Sequence, residues 1–266
     1  MTRFIYMKNA GTMRKNSVVL ILCIIAGIFV SSCGLEEVII LTEPTVTDNN
    51  PLYSSDEPTN WWFGFKSAEN GQPDEFIGTE VYYKIYSNYS DLTSQRNSIT
   101  AVNSTTNQTA AATKMIETYT YKSLGLSIAP ARKSTLIPKG SGNRSIVFRL
   151  KSYQNNTSSE DDKYTLEACF GIKNSAAYAY ESYIPYRNGN SKSFDFFDYD
   201  DDDKNGTRDV EPVEGDDDYY YNSNFSEDNC YYVQMFAVGV GWITSTCTAT
   251  YSLVLDLGSV PIRKGE

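Results

Sequence analysis

Alternation of apolar and polar positions with a period of two dominates the chain. Thr79 to Ser87 sets Val81, Tyr83 and Ile85 on one face and Tyr82, Lys84 and Tyr86 on the other. Ser145 to Ser152 aligns Ile146, Phe148 and Leu150, and Lys163 to Lys173 aligns Tyr164, Leu166, Ala168, Phe170 and Ile172. Successive side chains of a pleated strand point to opposite faces, so these runs predict half-buried antiparallel strands. Tyr231 to Val240 is apolar on both faces, and Thr248 to Leu257 aligns Ala249, Tyr251, Leu253, Leu255 and Leu257. With Gly239, Gly241 and Thr244 to Thr246 between them, the two runs predict a hairpin in the core of a sheet. Trp61 to Lys66 and Val260 to Arg263 predict edge strands.

One stretch departs from this period. From Ser90-Asp91-Leu92 onward, Leu92, Ile99 and Val102 fall at helical spacing. Thr109 to Tyr119 follows with Ala110, Ala111, Ala112, Met115, Ile116 and Tyr119, an amphipathic helical pattern. The pattern predicts a helical insertion at about residues 90–120. Strands at this spacing, joined by polar loops, predict a mainly β fold, an antiparallel sandwich with that insertion. Glu80 to Tyr86 resembles the third strand of immunoglobulin and fibronectin type III sandwiches, and Tyr231 to Val238 resembles the sixth. The likeness implies a sandwich of that kind over residues 60–266, as a single domain.

The start of the chain carries an address. Residues 13–33 join basic Arg14 and Lys15, an apolar run from Val18 to Val30, and small Ser31 and Ser32 before Cys33. These are the three parts of a secretory signal. Met13 would open a conventional one, which makes it a candidate true start. The run is shorter than the roughly 20 apolar residues of a membrane span, and Glu36 and Glu37 follow closely. Val30-Ser31-Ser32-Cys33 resembles the lipobox of bacterial lipoproteins. That likeness implies cleavage after residue 32, a diacylglycerol and palmitate-type acyl chains on Cys33, and a membrane partner reached through the lipid anchor. An ordinary signal peptide that ends at a cysteine is the alternative. Gly34 rather than Asp follows Cys33, which by the sorting rule of enteric bacteria makes the outer membrane of the cell envelope the default destination. Residues 33–59 then read as the lipidated cysteine and a flexible tether, on the strength of Pro44, Asn49, Asn50, Pro51 and Pro58. Abundant tyrosine and asparagine in this layout also resembles uncharacterised spirochaete lipoproteins.

Charge narrows the partners. The chain has 23 basic and 33 acidic residues; losing Arg3, Lys8, Arg14 and Lys15 with the signal leaves 19 against 33, a net −14. Nucleic acid is excluded as a partner, because phosphate binding needs concentrated Lys and Arg. Twelve acids lie between Asp195 and Asp218 against Lys204 and Arg208, an acidic loop at about residues 195–218. Within it Asp201, Asp203, Asn205, Thr207 and Asp209 match the spacing of a calcium loop, with Gly206 at the sharp bend. The twelfth position is Pro212, where a carboxylate would close the loop, with Glu211 and Glu214 on either side. Ca2+ and a solvated acidic loop are both open readings.

There is no histidine, which removes the commonest general base and transition-metal ligand. No glycine-rich phosphate loop, nucleophile elbow or CxxC is present, so the chain does not read as an enzyme; paired carboxylates of a glycan-active enzyme are the weaker alternative. Cys230 and Cys247 would suit a disulfide closing the hairpin, with Cys169 as a buried thiol. Trp61, Trp62 and Phe63, the group Tyr178, Tyr180, Tyr183 and Tyr186, and Tyr219, Tyr220 and Tyr221 are candidate aromatic surfaces. The last is best placed, because Asp216 to Asp218 should hold it at the surface. The expected function is a lipid-anchored, non-catalytic binding or interaction module for a protein or carbohydrate ligand. A structural envelope component assembling with other membrane proteins is the alternative.

Overall fold

The computed structural model describes residues 39–47, 61–126, 135–155, 164–173, 183–187, 192–196, 211–224 and 230–263, all within one compact unit, Ile39–Glu266. In chain order the strands and helices are β1 (Thr45–Val46), β2 (Phe63–Lys66), β3 (Phe76–Tyr86), α1 (Tyr89–Thr100) and α2 (Thr109–Thr113), which continues into a π-helical turn, Lys114–Thr118. β4 (Lys122–Ser123), β5 (Gly125–Leu126), β6 (Ile137–Pro138), β7 (Ser145–Arg149), β8 (Tyr153–Asn155), β9 (Tyr164–Leu166) and β10 (Cys169–Lys173) follow. The chain closes with β11 (Pro185–Tyr186), β12 (Tyr219–Tyr220), β13 (Cys230–Ile243) and β14 (Thr248–Arg263).

The fold is mainly β. One sheet runs β1-β2-β7-β10 and a larger one β12-β3-β13-β14, with β4 and β6 also pairing β3. All the ladders among them are antiparallel except β12 with β3, which is parallel. β13 lines one edge of β3 from Phe76 to Tyr86, while β6, β4 and β12 take successive stretches of β3: Gly78–Thr79, Tyr82–Tyr83 and Ile85–Tyr86.

Period-two alternation sorts the side chains into two cores. Val81, Tyr83 and Ile85 of β3 and Tyr231, Val233, Met235 and Ala237 of β13 meet Phe63, Phe65, Ile146, Phe148 and Phe170 of the smaller sheet. The opposite faces of the same strands, with Tyr86, Tyr232, Phe236 and Val238, meet Leu92 and Ile99 of α1 and Ala111, Ala112 and Met115 beyond it. A sheet covered on both faces explains why Tyr231 to Val240 is apolar throughout. Asn88 caps α1, its side chain accepting from the Ser90 backbone N–H at 2.8 Å. The expected insertion at 90–120 is therefore a third layer over the larger sheet.

Several local expectations are corrected. Phe63–Lys66 is not an edge strand, because Thr45–Val46 pairs with it on the side away from β7. That pairing holds part of the expected tether on the sheet, and Leu41 just before it is fully buried. In β14 the single apolar face predicted for Ala249 to Leu257 is broken by two bulges, opposite Met235/Phe236 and Val238/Val240. Each extra residue reverses the alternation, so Tyr251 packs toward the helices while Leu255 and Leu257 pack into the sheet-to-sheet core. Gly258, at φ +92°, supplies backbone that other residues rarely adopt at the first bulge.

The hairpin disulfide does not form. Cys230 pairs with Arg263 at the open end of the hairpin, and Cys247 precedes the first residue of β14 at the turn. The intervening strand is roughly 45 Å long at about 3.4 Å per residue, whereas a disulfide needs Cα atoms about 4.4–6.8 Å apart. Cys169 and Cys247 are free thiols, and burial pushes the half-buried Cys169 thiol up.

Candidate functional site

Of the three tyrosines singled out by the sequence, Tyr220 and Tyr221 are exposed, at 39% and 46%. Tyr219 is not, because alternation along β12 turns it against the sheet-to-sheet core, edge-on to Tyr231 at 5.8 Å between ring centroids. Tyr220 points to the other face, 5.9 Å from the Tyr86 ring. β12 is held by the Ser87 N–H donating to the Tyr220 carbonyl at 3.4 Å and the Ile85 N–H donating to the Asp218 carbonyl at 2.9 Å. Beyond it, Asn222 donates to Asp91 at 2.6 Å and Asn88 donates to the Asn224 carbonyl at 2.9 Å. These bonds stitch the segment to the start of α1.

The acids before β12 do not keep it solvated. Asp218 is 3% exposed and Arg187 only 1%. The Arg187 guanidinium donates to both Asp218 oxygens, Nε at 2.9 Å and Nη2 at 2.7 Å, and from Nη2 to Asp216 at 2.7 Å. Tyr83 adds a hydroxyl to Asp218 at 2.6 Å, and Lys192 approaches Asp216 at 3.3 Å. Burial opposes the arginine's charge, but the hydrogen bonds and attraction of Asp218 and then Asp216 outweigh it and hold the guanidinium above its ordinary value. Burial likewise works against the Asp216 carboxylate, which Arg187 and the Val213 N–H hold below the usual carboxylate range. The network locks Pro185–Tyr186 and its neighbours to the root of β12. Phe194 and Phe196 are buried beside it, Phe194 edge-on to Tyr83 and Phe196 to Tyr231.

On the helix side of β3 lies a second cation. Lys84, 5% exposed, donates to the Tyr119 carbonyl at the end of the π-helical turn. Its ammonium stands 5.3, 5.8 and 6.0 Å from the ring centroids of Tyr220, Tyr86 and Tyr121. Burial, and then repulsion from Lys122, lowers the amine to about 8. The Tyr86 and Tyr121 hydroxyls are 2.9 Å apart and Tyr86 is 2.9 Å from the Gln95 carbonyl oxygen. Tyr121 therefore donates to Tyr86, which donates onward. Burial pushes both phenols well up.

The remaining sequence candidates divide. Trp61 and Phe63 are core residues, with Trp61 edge-on to Tyr153 at 5.0 Å. Tyr183 is partly buried against that core; Tyr178 and Tyr180 lie outside the described residues. So do Cys33 and the calcium candidates Asp201, Asp203, Asn205, Thr207 and Asp209. Among the described residues no group of three or more Cys, Asp or Glu is arranged to hold a metal, and no helix is long and apolar enough to cross a membrane. Glu211 is engaged by the Tyr231 hydroxyl, and Glu69 by Arg144 at 2.7 Å and Ser67 at 2.7 Å. Sequence reasoning placed Tyr83 and Lys84 on a strand without a site role and did not single out Arg187. Lys84 had a signal, a lone charge on the second face of a strand otherwise rich in tyrosine.

No family model matches the chain, and neither does any curated protein or solved structure.

Proposed function

We propose that the protein is a lipid-anchored, non-catalytic binding module of the bacterial cell envelope, built on an immunoglobulin- or fibronectin-type sandwich, and that Tyr220 and Tyr221 form its ligand surface. One observation carries the reading: two consecutive large aromatic side chains are exposed at the end of β12, Tyr220 packed on Tyr86 and Tyr221 on Tyr219, and the root of that strand is pinned by a buried arginine–carboxylate network. Rings already packed against neighbouring rings have less rotamer freedom to lose on binding. Flanking carboxamides at Asn88, Asn222 and Asn224 can add hydrogen bonds, and ring faces beside amides favour a neutral glycan. Signal peptide, lipidated Cys33 and outer-membrane placement rest on the sequence.

A glycan array probed with the mature domain tests the binding surface. Y220A/Y221A should abolish any signal while the domain stays folded, with a stability loss of about 1–2 kcal/mol from the ring contacts with Tyr86, Lys84 and Tyr219; binding retained in full by the double variant rejects this surface. Calcium at residues 201–209 belongs to the same proposal, supported by spacing alone. It predicts a melting temperature raised by calcium and insensitive to it after D201A/D203A/N205A.

A further inference from the structure

The chain enters the domain at the end opposite to the tyrosines. Leu41, fully buried, packs where β13 lacks side chains: a Cβ on Gly241 would stand 3.2 Å from Leu41, and one on Gly239 would stand 3.3 Å from the Thr42 carbonyl. Gln108 fixes the same segment, receiving the Leu41 N–H at 3.2 Å and donating to its carbonyl at 3.3 Å. Ile40 and Trp242 each stand one residue from this contact, and they are 65% and 45% exposed. Gly241 pairs with Phe76 at the start of β3, whereas Tyr220 pairs with Tyr86 at its end. Ten residue steps of strand, roughly 33 Å, separate the two.

Beyond Gly241 the hairpin continues past β3, whose pairing with β13 ends at Phe76, and residues 244–249 are exposed. From Tyr231 to Leu255 there is no charged residue, in a chain of net charge −10. The charges beside it come from other segments: Glu75, whose carbonyl accepts from the Trp242 N–H at 2.9 Å, Glu117, which acts on Tyr251, and Lys139, which donates to the Pro73 carbonyl at 3.4 Å. Eight residue steps connect Cys33 to Leu41, a reach of at most roughly 28 Å even when fully extended.

We propose that the β13–β14 hairpin tip, with Trp242 and Ile40, is a membrane-contact site that seats the domain on the bilayer bearing its own lipid anchor, with the Tyr220–Tyr221 surface directed away. The inference rests on lipidation of Cys33. Given that anchor, the short connection brings this end to the bilayer, and an exposed indole beside an uncharged hairpin suits the headgroup boundary. With Asp74 and Glu75 at its flank and no basic residue in the hairpin tip, the contact is with the apolar boundary of uncharged lipid rather than with anionic headgroups.

Cys247, exposed and free at the tip, allows a direct test. The chain is purified with its lipid from bacterial membranes in a C169S background and placed on phosphatidylcholine vesicles. An environment-sensitive dye on Cys247 is compared with one on Ser223→Cys (with C247S) beside the tyrosines. The expected result is blue-shifted emission and strong quenching by nitroxide-bearing lipid at 247, aqueous emission at 223, and a severalfold loss of quenching at 247 in I40S/W242S. Lipid mass on Cys33 together with aqueous emission at 247, or equal quenching at both sites, overturns the orientation alone. Absence of lipid mass on the mature chain overturns the anchor and the orientation with it.

Discussion

Two cations are buried on opposite sides of β3, and the protein treats them differently. Arg187 faces two carboxylates, Asp216 and Asp218, the latter also held by the Tyr83 hydroxyl, and its planar fork places two N–H groups on Asp218. Lys84 faces tyrosine rings and a backbone carbonyl, with another lysine as its nearest titrating influence. The first environment strengthens the charge, and the second weakens it to about 8. Burial is common to both, so the partner decides. Ring quadrupoles and one carbonyl do not replace lost water as a pair of carboxylates does. Arg187 accordingly acts as a fastener beneath the candidate ligand surface, and Lys84 is a strut between sheet and helices whose charge is only weakly retained.

The sharpest way to break this contrast is to remove one partner of the network. R187M or D218N leaves an uncompensated buried group and should cost about 3–5 kcal/mol, read from urea unfolding midpoints. The R187M/D218N double variant should be no less stable than the worse single one, and additive losses would show that the two residues do not act as a pair. K84M should be far milder, within about 1 kcal/mol of the parent at neutral pH, because the lost bond to Tyr119 is offset by the desolvation it no longer incurs.

The same variant has a pH signature. The native state releases the Lys84 proton near 8 and the unfolded chain near about 10.4. Between those values the unfolded state binds more protons, so this group's contribution to stability rises with pH. Below the lower value its cost is complete and constant. The stability of the parent relative to K84M should therefore increase from pH 8 to pH 10, and a flat difference would refute the lowered amine. The smallest effect is expected from Y121F, which removes one buried phenol bond to Tyr86 and should cost about 1 kcal/mol.

Strands and helices were legible in the sequence because both are periodic. Val81, Tyr83 and Ile85 meet the smaller sheet as the alternation required, and Leu92, Ile99, Ala111, Ala112 and Met115 cover the larger one. The alternation in β14 misled, because a bulge adds a residue without leaving a local mark in a run of apolar side chains. The tyrosine surface was half legible. Clustering drew attention to residues 219–221, but the acids beside it were taken for solvated charge.

The sequence by itself determined the mainly β character and the helical interruption, since each is written in neighbouring residues. Only the tertiary structure decided that Asp218 is buried against Arg187, that Lys84 lies under three tyrosines, and that the chain enters opposite Tyr220. Arg187 and Asp218 are 31 residues apart, and Lys84 and Tyr119 are 35. Such pairings depend on which strand edges meet across the sheet. No local pattern encodes them, because the energy that selects them is gained only when distant segments leave water together.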